Sequence, residues 1–458
     1  MTLIKSISGI RGTIGGSKGE NLTPIDIVEC ASGYGEYIIN KEGPNRVVIG
    51  RDGRITGSQV SALVTNTLLL MGIDVVDLGL STTPTVEIAV PLEEAGGGII
   101  LTASHNPKQW NALKFLNETG EFISKETGDI ILQHILDADI QYAKVDDIGK
   151  YTEADQYIDK HIEQILNLDI IDVELIKAQS FSVVVDCINS TGATLIPPLL
   201  NRLGVKYSLI NEGITGDFAH NPEPLPKHMT QLSEAVLKHS SDLGICVDPD
   251  VDRLAFVCED GVAFGEEYTL VSAADFVLSK TGGDTVSNLS STRALSDITE
   301  KYGHRYHASA VGEVNVVNLM KSTEAVIGGE GNGGVILPAL HYGRDAAVGI
   351  VIMLNLLAER KQKISELKKS YTEYVIIKNK IQLTPEIDIE NLLSEVSKAL
   401  ANEKQNEVDG LKMDFEKGWV HLRKSNTEPI IRVYSEAKTT EEANALVNQV
   451  MDIVNLHI

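Results

Sequence analysis

The sequence lacks closely spaced cysteines, long apolar runs and an apolar leader. Its four cysteines lie far apart and form no Cys-x-x-Cys motif: Cys30, Cys187, Cys246 and Cys258. A zinc site and a disulfide framework are therefore not expected, and a reducing compartment is predicted. No run approaches the roughly 18 apolar residues of a membrane-spanning helix, and the first residues show no signal-peptide pattern. We expect a soluble cytoplasmic protein.

Positive charge is also scarce. The chain has 40 Lys and Arg against 64 Asp and Glu, which gives a net charge of −24. Such a surface repels the phosphate backbone of nucleic acids and anionic lipid, so we expect neither nucleic acid nor membrane as a partner. A substrate that carries phosphate would need a local cluster of Arg, Lys and backbone N–H groups. The sequence leaves a monomer and a homodimer equally open.

With 458 residues, of which 43% are hydrophobic, the chain is long enough for three or four domains. Short apolar runs such as NRVVIG (45–50) and FSVVVDC (181–187) alternate with helical patterns, and this rhythm recurs three times. It predicts three similar α/β domains with parallel or mixed sheets. From about Tyr374 onward the pattern changes and predicts a smaller C-terminal α+β domain. We place the four domains at 1–150, 151–256, 257–370 and 371–458.

The first loop with chemical potential is TASHNPKQWNALK (102–114), which follows an apolar strand. Its Pro107 ends the strand pattern, so we expect the loop at the carboxyl end of the sheet, where α/β proteins bind ligands. Ser104 is a candidate nucleophile, with His105 and Lys114 nearby. A plain turn before a helix is the alternative. A serine hydrolase is a further alternative, although the G-x-S-x-G elbow is missing.

The second loop is GICVDPDVDRLAFV (244–257), in which Asp248, Asp250 and Asp252 recur with period two. In an extended segment this spacing places the three carboxylates on one side, where only a cation could offset their repulsion. Oxygen ligands favour magnesium or calcium. An EF-hand is rejected because Arg253 stands where that loop requires glycine. An acidic exposed turn remains the alternative.

The third loop is GGEGNGG (328–334), whose only polar side chains are Glu330 and Asn332. It matches neither GxGxxG nor the Walker pattern. A carboxylate and an amide suit recognition of hydroxyl groups better than of phosphate. A flexible turn and a phosphate-binding loop are the alternatives.

The fourth loop is RKSNTEPIIRV (423–433), which concentrates cations and small donors. Arginine forms bidentate hydrogen bonds that match phosphate oxygens, and hydroxyls fill the remaining directions. In a chain this acidic, the cluster is the candidate phosphate site, with a basic surface turn as the alternative. Its candidate ligands are Arg423, Ser425, Asn426, Thr427 and Arg432.

Together and in this order, the four loops resemble those of the α-D-phosphohexomutase superfamily, over essentially the whole chain. Within it the chain is most similar to phosphoglucosamine mutases with an archaeal-type sugar loop and to phosphomannomutase/phosphoglucomutases. Three further segments strengthen the resemblance: SGIRG (8–12), GRDGR (50–54) and HNPEP (220–224). The resemblance implies four domains around a central cleft, each supplying one loop.

The resemblance also implies a mechanism. Ser104 would carry a phosphoryl group, and one Mg²⁺ would be bound by a phosphate oxygen on Ser104 and the three aspartates. Transfer to the sugar phosphate would give a hexose 1,6-bisphosphate, which acts as intermediate and activator. Return of its other phosphate to Ser104 would leave the isomeric monophosphate.

The remaining roles follow from the same resemblance. Arg11 and Arg253 would assist as cations at the substrate. Lys114 and His105 are candidate bases, and the resemblance favours Lys114 or Arg11. We expect burial among cations to lower the pKa of Lys114. Glu330 and Asn332 would read the sugar hydroxyls, and the fourth loop would hold phosphate.

The substrate prediction depends on Glu313 and Glu330, because extra carboxylates favour a cationic amino sugar. We predict interconversion of glucosamine 6-phosphate and glucosamine 1-phosphate. Neutral hexose phosphates are the alternative substrates. A magnesium-dependent sugar phosphatase and a non-catalytic sugar-phosphate binder are the alternative classes of protein.

Overall fold

The computed structural model describes residues 2–6, 9–137, 140–383, 387–425 and 430–456. The chain forms two compact units: unit 1 comprises Met1–Phe276 and Asn332–Leu367, and unit 2 comprises Val277–Gly331 and Lys368–Ile458. Within the described residues, no helix is both long enough and apolar enough to cross a bilayer.

Unit 1 begins with a seven-stranded mixed sheet in the order β1-β2-β6-β5-β3-β4-β7. Its strands are β1 Ile4–Ser6, β2 Gly9–Thr13, β3 Arg46–Arg51, β4 Asp74–Leu80, β5 Gly97–Leu101, β6 Trp110–Leu116 and β7 Tyr151–Glu153. Four helices accompany it: α1 Pro24–Asn40, α2 Gly57–Leu70, α3 Thr83–Leu92 and α4 Lys125–Asp137. Strands β3, β4, β5 and β7 are mutually parallel, and β6 runs antiparallel to β5 and β2.

The centre of this sheet forms as its sequence predicts. Val47, Val48 and Ile49 of β3 are fully buried, as expected for a continuous apolar strand covered on both faces. Helix α1 begins with a capping box in which Thr23 and Asp26 satisfy each other's backbone N–H groups.

A second sheet of unit 1 has the order β11-β10-β8-β9. Its strands are β8 Ser182–Asp186, β9 Lys206–Ile210, β10 Leu243–Val247 and β11 Leu254–Cys258. Helices of this region are α5 Tyr157–Leu166, α6 Val173–Gln179, α7 Gly192–Arg202 and α8 Thr230–His239; α9 (Glu266–Thr281) follows and continues into unit 2. Strands β10 and β8 are parallel, whereas β11 returns antiparallel to β10. The β10–β11 connection therefore carries the three aspartates.

The first part of unit 2 contains three parallel strands in the order β13-β12-β14. Its elements are β12 Thr285–Asn288, α10 Ala294–Lys301, β13 Tyr306–Ser309, α11 Glu313–Thr323 and β14 Ile327–Glu330. The chain then returns to unit 1 with β15 Gly334–Ile336 and α12 Ala346–Arg360, and α13 Ile364–Lys369 leads out of it. Helix α12 is buried from Ala346 to Ala358.

The C-terminal part of unit 2 is an antiparallel sheet in the order β16-β20-β19-β18-β17, accompanied by two helices. Its elements are β16 Val375–Gln382, α14 Ile389–Ala399, β17 Lys404–Asn406, β18 Leu411–Asp414, β19 Gly418–Lys424, β20 Ile430–Ala437 and α15 Thr440–Val454. Strands β19 and β20 pair directly, with Arg423 opposite Arg432.

The predicted fold class, three mixed α/β domains and a smaller C-terminal α+β domain, is confirmed. Two structural facts bear on the predicted boundaries. Strand β7 lies just beyond residue 150 but pairs with β4 of the first sheet. The boundary between 256 and 257 falls within β11, whose Cys258 pairs with Leu243. The boundaries themselves stay a prediction.

Candidate active site

Ser104 lies in the loop that follows β5, at the carboxyl end of that strand as predicted. Its φ of 47° is left-handed, a conformation that costs energy for a residue other than glycine and that surrounding contacts must hold. Its hydroxyl donates a hydrogen bond of 2.7 Å to Oδ2 of Asp248. The Nδ1 atom of His105 lies 3.4 Å from the same hydroxyl. The structure therefore brings the predicted nucleophile to one of the predicted metal ligands.

Arg54 fixes the shape of this loop, although its side chain is fully buried. Its guanidinium donates to four main-chain carbonyl oxygens, those of Ser104 (2.6 Å), Asn106 (2.7 Å), Pro107 (2.9 Å) and Trp110 (2.9 Å). The Nε atom of Arg54 also donates to Asp52 at 3.1 Å. Asp52 in turn accepts from the Thr102 hydroxyl at 2.6 Å. Burying the charge of Arg54 is costly, and these hydrogen bonds offset that cost.

Asp248, Asp250 and Asp252 are fully buried, and one ligand atom from each lies within 4.8 Å of those of the other two. The cause of this convergence differs from the one expected. The segment is a tight turn, in which Val251 has a φ of 63° and its N–H bonds the Asp248 carbonyl at 3.1 Å. The turn, and not an extended strand, brings the carboxylates together.

Each aspartate also has a partner from outside the turn. The Thr83 hydroxyl donates to Oδ2 of Asp250 at 2.7 Å. The Arg344 guanidinium donates to Oδ2 of Asp252 at 2.6 Å. Motif analysis missed Thr83 and Arg344, because neither lies in a segment whose composition marks it as a site. They contact the aspartates only through the tertiary fold.

The charges of the aspartates are unequal. Burial, together with repulsion from Asp252 and Asp250, raises the pKa of Asp248 well above its usual range. Burial acts in the same direction on Asp250, but the ammonium of Lys114 and the hydrogen bonds that Asp250 accepts together outweigh it and lower the pKa of Asp250. Asp248 therefore keeps its proton to higher pH than Asp250, and a cation bound at the turn would favour its ionised form.

Lys114 corrects a prediction. Burial works to lower its pKa, but the carboxylates of Asp250 and Asp252, at 3.0 and 3.9 Å from its Nζ atom, outweigh burial and raise the pKa of Lys114. The sequence could not show that acidic neighbours would lie closer than basic ones. Lys114 is therefore cationic at neutral pH.

Arg11 lies on the same face of the first sheet as Lys114. In the β2–β6 pair, Gly9 is opposite Lys114 and Arg11 is opposite Ala112, so the two cationic side chains are diagonal neighbours. The Nε atom of Arg11 is buried without a hydrogen-bond partner, and burial lowers the pKa of Arg11. A Cβ at position 9 would collide with the Leu113 carbonyl, so glycine is needed there.

The other cationic candidates behave differently. Burial, reinforced by the nearby guanidinium groups of Arg253 and Arg344, lowers the pKa of His105 to about 2. Its imidazole is therefore neutral at physiological pH. Arg253 lies 3.5 Å from Glu223 of the HNPEP segment and 3.8 Å from Oδ1 of Asp252. It thus borders the aspartate turn as predicted.

The donor set fits a hard divalent cation. Oδ1 of Asp250 and Oδ1 of Asp252 are buried and have no hydrogen-bond partner within the described part of the chain, which is costly unless a ligand binds them. Three carboxylates supply the oxygen atoms that Mg²⁺ prefers. The described residues contain no other group of three or more His, Cys, Asp and Glu that could hold a metal ion.

The predicted sugar-loop residues fall in different units. In unit 2, Glu330 is 6% exposed and ends β14. Its Oε1 accepts from the Asn288 amide at 2.9 Å and from the Gly312 N–H at 3.3 Å. The second contact places Gly312, which directly precedes Glu313, beside Glu330. In unit 1, Asn332 accepts from the N–H of Gly334 at 3.2 Å.

Two arginines of the fourth loop stand side by side in unit 2. Arg423 and Arg432 are directly opposite on β19 and β20, an arrangement that destabilises unless an anion lies between the like charges. Asp409 lies 3.7 Å from Arg423, and Arg432 donates to the Tyr434 hydroxyl at 3.2 Å. The Nε atoms of both arginines are buried, and neither has a hydrogen-bond partner among the residues that the structure describes.

The rest of the fourth loop is only partly described. Ser425 is buried and its N–H bonds the Ile430 carbonyl at 3.0 Å. Asn426 and Thr427 lie outside the described residues. Asp409, which motif analysis missed, also accepts from the Val311 N–H at 3.0 Å. It therefore connects the arginine pair to the segment that contacts Glu330.

The fold and the buried turn of aspartates beside a serine are those of a phosphoryl-transferring α/β enzyme. Four family models match the chain, each described as a domain of phosphoglucomutase/phosphomannomutase. Alpha/beta/alpha domain I matches 3–141, domain II matches 156–261, domain III matches 265–374, and the C-terminal domain matches 353–453.

Relatives match along nearly the whole chain. A phosphoglucomutase/phosphomannomutase of Thermococcus kodakarensis is 35% identical, covering 94% of this chain and 95% of the relative. A phosphoglucosamine/phosphogalactosamine mutase of Sulfurisphaera tokodaii is 31% identical, covering 97% and 98%. The crystal structure of a Burkholderia thailandensis phosphoglucomutase/phosphomannomutase family protein superposes with a TM-score of 0.86 at 24% identity, covering 99% and 97%, and shows the shared fold.

The chain therefore belongs to the phosphoglucomutase/phosphomannomutase family. It is a mutase enzyme, and the predicted membership of the α-D-phosphohexomutase superfamily is confirmed.

Proposed function

We propose that this mutase interconverts glucosamine 6-phosphate and glucosamine 1-phosphate and carries the transferred phosphoryl group on Ser104. The observation that carries the proposal is the hydrogen bond of 2.7 Å between Ser104 and Asp248, within a turn of three buried carboxylates. A serine held beside a cation site is positioned to exchange a phosphoryl group.

The acidic turn would hold one Mg²⁺ through Asp248, Asp250 and Asp252. When bound, the ion would offset negative charge on the phosphoryl oxygens. Lys114 and Arg253 add positive charge beside the same oxygens. Arg54 holds the Ser104 backbone so that its hydroxyl faces the acidic turn, which is the positioning that in-line transfer requires.

Transfer breaks the bond between phosphorus and the Ser104 oxygen and forms a bond between phosphorus and a sugar oxygen. The sugar hydroxyl must lose a proton in this step. Lys114 is already protonated, and burial beside two guanidinium groups makes the His105 imidazole a weak base. We therefore assign charge neutralisation to Lys114. The proton of the sugar hydroxyl ends on the Ser104 oxygen that the transfer releases, so the step balances. Reversal on the opposite phosphate of the hexose 1,6-bisphosphate, which also serves as activator, completes the isomerisation.

Unit 2 carries residues that suit a phosphate group and sugar hydroxyls. Arg423 and Arg432 would bind the phosphate that is not being transferred, since an anion between them relieves their repulsion. Ser425, Asn426 and Thr427 would add neutral donors. Glu330 and Asn332 would bind sugar hydroxyls.

The amino-sugar assignment depends on Glu330 and Glu313. The Gly312 N–H bonds Glu330, and Glu313 follows directly in the chain, so two carboxylates lie in neighbouring segments of unit 2. Two carboxylates favour a sugar that carries an ammonium group over a neutral one. The name of the Sulfurisphaera tokodaii relative supports this choice.

Neutral hexose phosphates are the second candidate substrates. The Thermococcus kodakarensis relative, at 35% identity, is named a phosphoglucomutase/phosphomannomutase. Turnover of glucosamine 6-phosphate, glucose 1-phosphate and mannose 1-phosphate by the same preparation distinguishes the candidates. We expect the highest kcat/KM with glucosamine 6-phosphate. A strong preference for either neutral sugar would exclude the amino-sugar assignment.

Intact-mass spectrometry tests the role of Ser104. We expect a species about 80 Da heavier than the unmodified chain, from one added phosphoryl group. Ser104→Ala should lose this species together with mutase activity. Ser58→Ala, an exposed serine of the same unit, is the matched control and should keep both. Continuous release of inorganic phosphate would instead identify a phosphatase, and absence of turnover a binding protein.

All four cysteines are buried thiols, and burial raises the pKa of Cys30 to about 12. Such thiols are inert and need no disulfide to hold the fold. They support the proposal that the enzyme acts in the reducing cytoplasm.

A further inference from the structure

A chain of buried polar side chains crosses unit 1 without taking part in the proposed chemistry. The His161 ring bonds the Thr85 hydroxyl through Nδ1 at 2.9 Å and Oδ2 of Asp345 through Nε2 at 2.8 Å. The same Oδ2 contacts Nε2 of His341 at 3.3 Å. On the other side of the ring, Nδ1 of His341 lies 3.4 Å from Oε2 of Glu87, an ion-pair contact without hydrogen-bond geometry. We name these five residues the relay.

The relay is costly to bury. His161 and Thr85 are fully inaccessible, and Asp345 and Glu87 are 1% and 2% exposed. Burial works against a charged His341, but Asp345 and Glu87 outweigh burial and raise the pKa of His341 to about 10. Buried ionic groups of this kind contribute little net stability compared with apolar packing. Fixing a geometry is a better explanation for them.

The relay connects two helices that each contact the aspartate turn at their first residues. Helix α3 carries Thr85 and Glu87, and its first residue, Thr83, bonds the Asp250 carboxylate at 2.7 Å and the Asp250 carbonyl at 2.9 Å. Thr83 and Glu87 are four residues apart and therefore lie on one face of the helix.

Helix α12 makes the second contact. Asp345 caps this helix, because its Oδ1 accepts from the N–H groups of Ala347 and Val348 at 2.7 and 3.3 Å. The preceding residue, Arg344, bonds Asp252 at 2.6 Å. The following residue, Ala346, donates its N–H to the Val251 carbonyl at 3.2 Å. The orientation of Asp345 is thus linked to the orientation of Asp252.

A glycine allows close approach between helix α3 and the segment before α12. A Cβ at Gly343 would collide with the Glu87 carboxylate, so a larger residue there would displace the Glu87 side chain from its present position. Oδ2 of Asp345 contacts a ring nitrogen of each histidine, and Oδ1 caps the helix. Both carboxylate oxygens of Asp345 therefore have partners that fix its orientation.

We propose that His161, His341, Asp345 and Glu87 are positioning residues for the metal ligands, which they align by locking α3 to α12. This inference rests on the proposed binding of a divalent cation by the aspartate turn. The two helices bind one oxygen of Asp250 and one oxygen of Asp252. The other oxygen of each, which lacks a hydrogen-bond partner among the described residues, is thereby left available to a bound cation.

Asp345→Asn tests the proposal with little change of shape. Asparagine caps helices as well as aspartate, so α12 keeps its cap while the charge between the two histidines is lost. We expect the affinity for Mn²⁺, measured by calorimetry on the full chain freed of metal with EDTA, to fall about 10- to 100-fold, as for other outer partners of metal ligands. The kcat measured at limiting Mg²⁺ should fall and recover in excess Mg²⁺.

A pair of substitutions at His161 gives a second measurement. Glutamine can place an amide N–H where the Nε2 atom of histidine lies, whereas leucine cannot. We therefore expect His161→Leu to weaken Mn²⁺ binding and His161→Gln to restore most of it. Asp388→Asn is the control, because Asp388 caps α14 through two N–H groups in the same way but belongs to unit 2. It should leave Mn²⁺ affinity unchanged.

The outcomes separate this inference from the proposed function. If the wild type binds Mn²⁺ and Asp345→Asn and His161→Leu bind it equally well, the relay is structural only and the inference is overturned alone. If the wild type binds neither Mn²⁺ nor Mg²⁺, the proposed function is overturned and the inference with it. Should His161→Leu not fold, Asp345→Asn decides the question.

Discussion

Both units contain a dense cluster of charge of one sign, but they hold their clusters differently. In unit 1, each aspartate of the turn has a partner from elsewhere in the chain. These are Ser104 for Asp248, Thr83 and Lys114 for Asp250, and Arg344 for Asp252. In unit 2, among the residues that the structure describes, the side-chain partners of the opposed Arg423 and Arg432 are an ion pair of 3.7 Å and a hydrogen bond of 3.2 Å.

The difference corresponds to the two kinds of ligand. A metal ion needs ligand oxygens at fixed distances, so its site has to be rigid before the ion binds. A phosphate that arrives with each substrate and leaves with each product is served by guanidinium groups that keep unused hydrogen bonds. Rigid carboxylates and available arginines are therefore two solutions to the problem of concentrating like charges.

Asp248→Asn should have the largest effect, because it removes a ligand from the rigid cluster. We expect Mn²⁺ affinity to fall at least about 100-fold, more than for an outer partner. The metal-free variant should nevertheless be as stable as the wild type at neutral pH or more so. Asparagine resembles the protonated Asp248 that the raised pKa favours.

The pH dependence of stability follows from the same shift. The unfolded Asp248 ionises near its usual pKa of about 3.9, whereas the folded one keeps its proton to higher pH. Its contribution to folding stability is therefore greatest at low pH and is lost as the pH rises toward the folded pKa. Calorimetric unfolding in EDTA should show this loss in the wild type and not in Asp248→Asn. The exposed control Asp242→Asn should lose stability with rising pH as the wild type does. The same pH dependence of stability in Asp248→Asn would contradict the prediction.

Arg54→Lys should have the next largest effect, because it loosens the serine loop while leaving the aspartate turn intact. Lysine cannot bond four carbonyl groups and a carboxylate at once. We expect kcat to fall about 100-fold, the usual cost of a small misplacement of a reacting group, with Mn²⁺ affinity unchanged. Arg46→Lys, at the more exposed end of the same sheet, should change neither. A lower Mn²⁺ affinity in Arg54→Lys would mean that the two loops are not held separately.

Arg432→Gln should have the smallest effect and tests the other side of the comparison. Loss of one charge-assisted hydrogen bond should raise KM about tenfold. Relief of the opposed charges should stabilise the free protein by up to about 1 kcal/mol. Arg305→Gln, an exposed arginine of the same unit, should leave KM unchanged. A destabilised variant with an unaltered KM would show that Arg432 serves the fold and not a phosphate.

The sequence was sufficient to predict those features of the fold and the site that depend on residues close together in the chain. Strand β3 could be predicted from its apolar run, and Ser104 and the three aspartates from short motifs. The turn geometry at Val251 could not, because alternating residues in a strand and in a tight turn look alike in sequence. The direction of the Lys114 pKa shift could not either, because it depends on which charges come within a few ångströms in the fold. Thr83, Arg344 and the relay belong to this second kind, since their contacts join distant segments.

The guanidinium of Arg54 fastens the serine loop by carbonyl oxygens, which every amino acid provides. Apart from Thr102, whose hydroxyl bonds Asp52 and the Ser104 N–H, this anchoring does not depend on which side chains the loop carries. Exposed positions such as Lys108 and Gln109 can be exchanged in a variant library while the anchor points stay the same. An engineer who wishes to alter which molecules approach the serine can begin there, with a backbone whose course is set by a residue about fifty positions earlier.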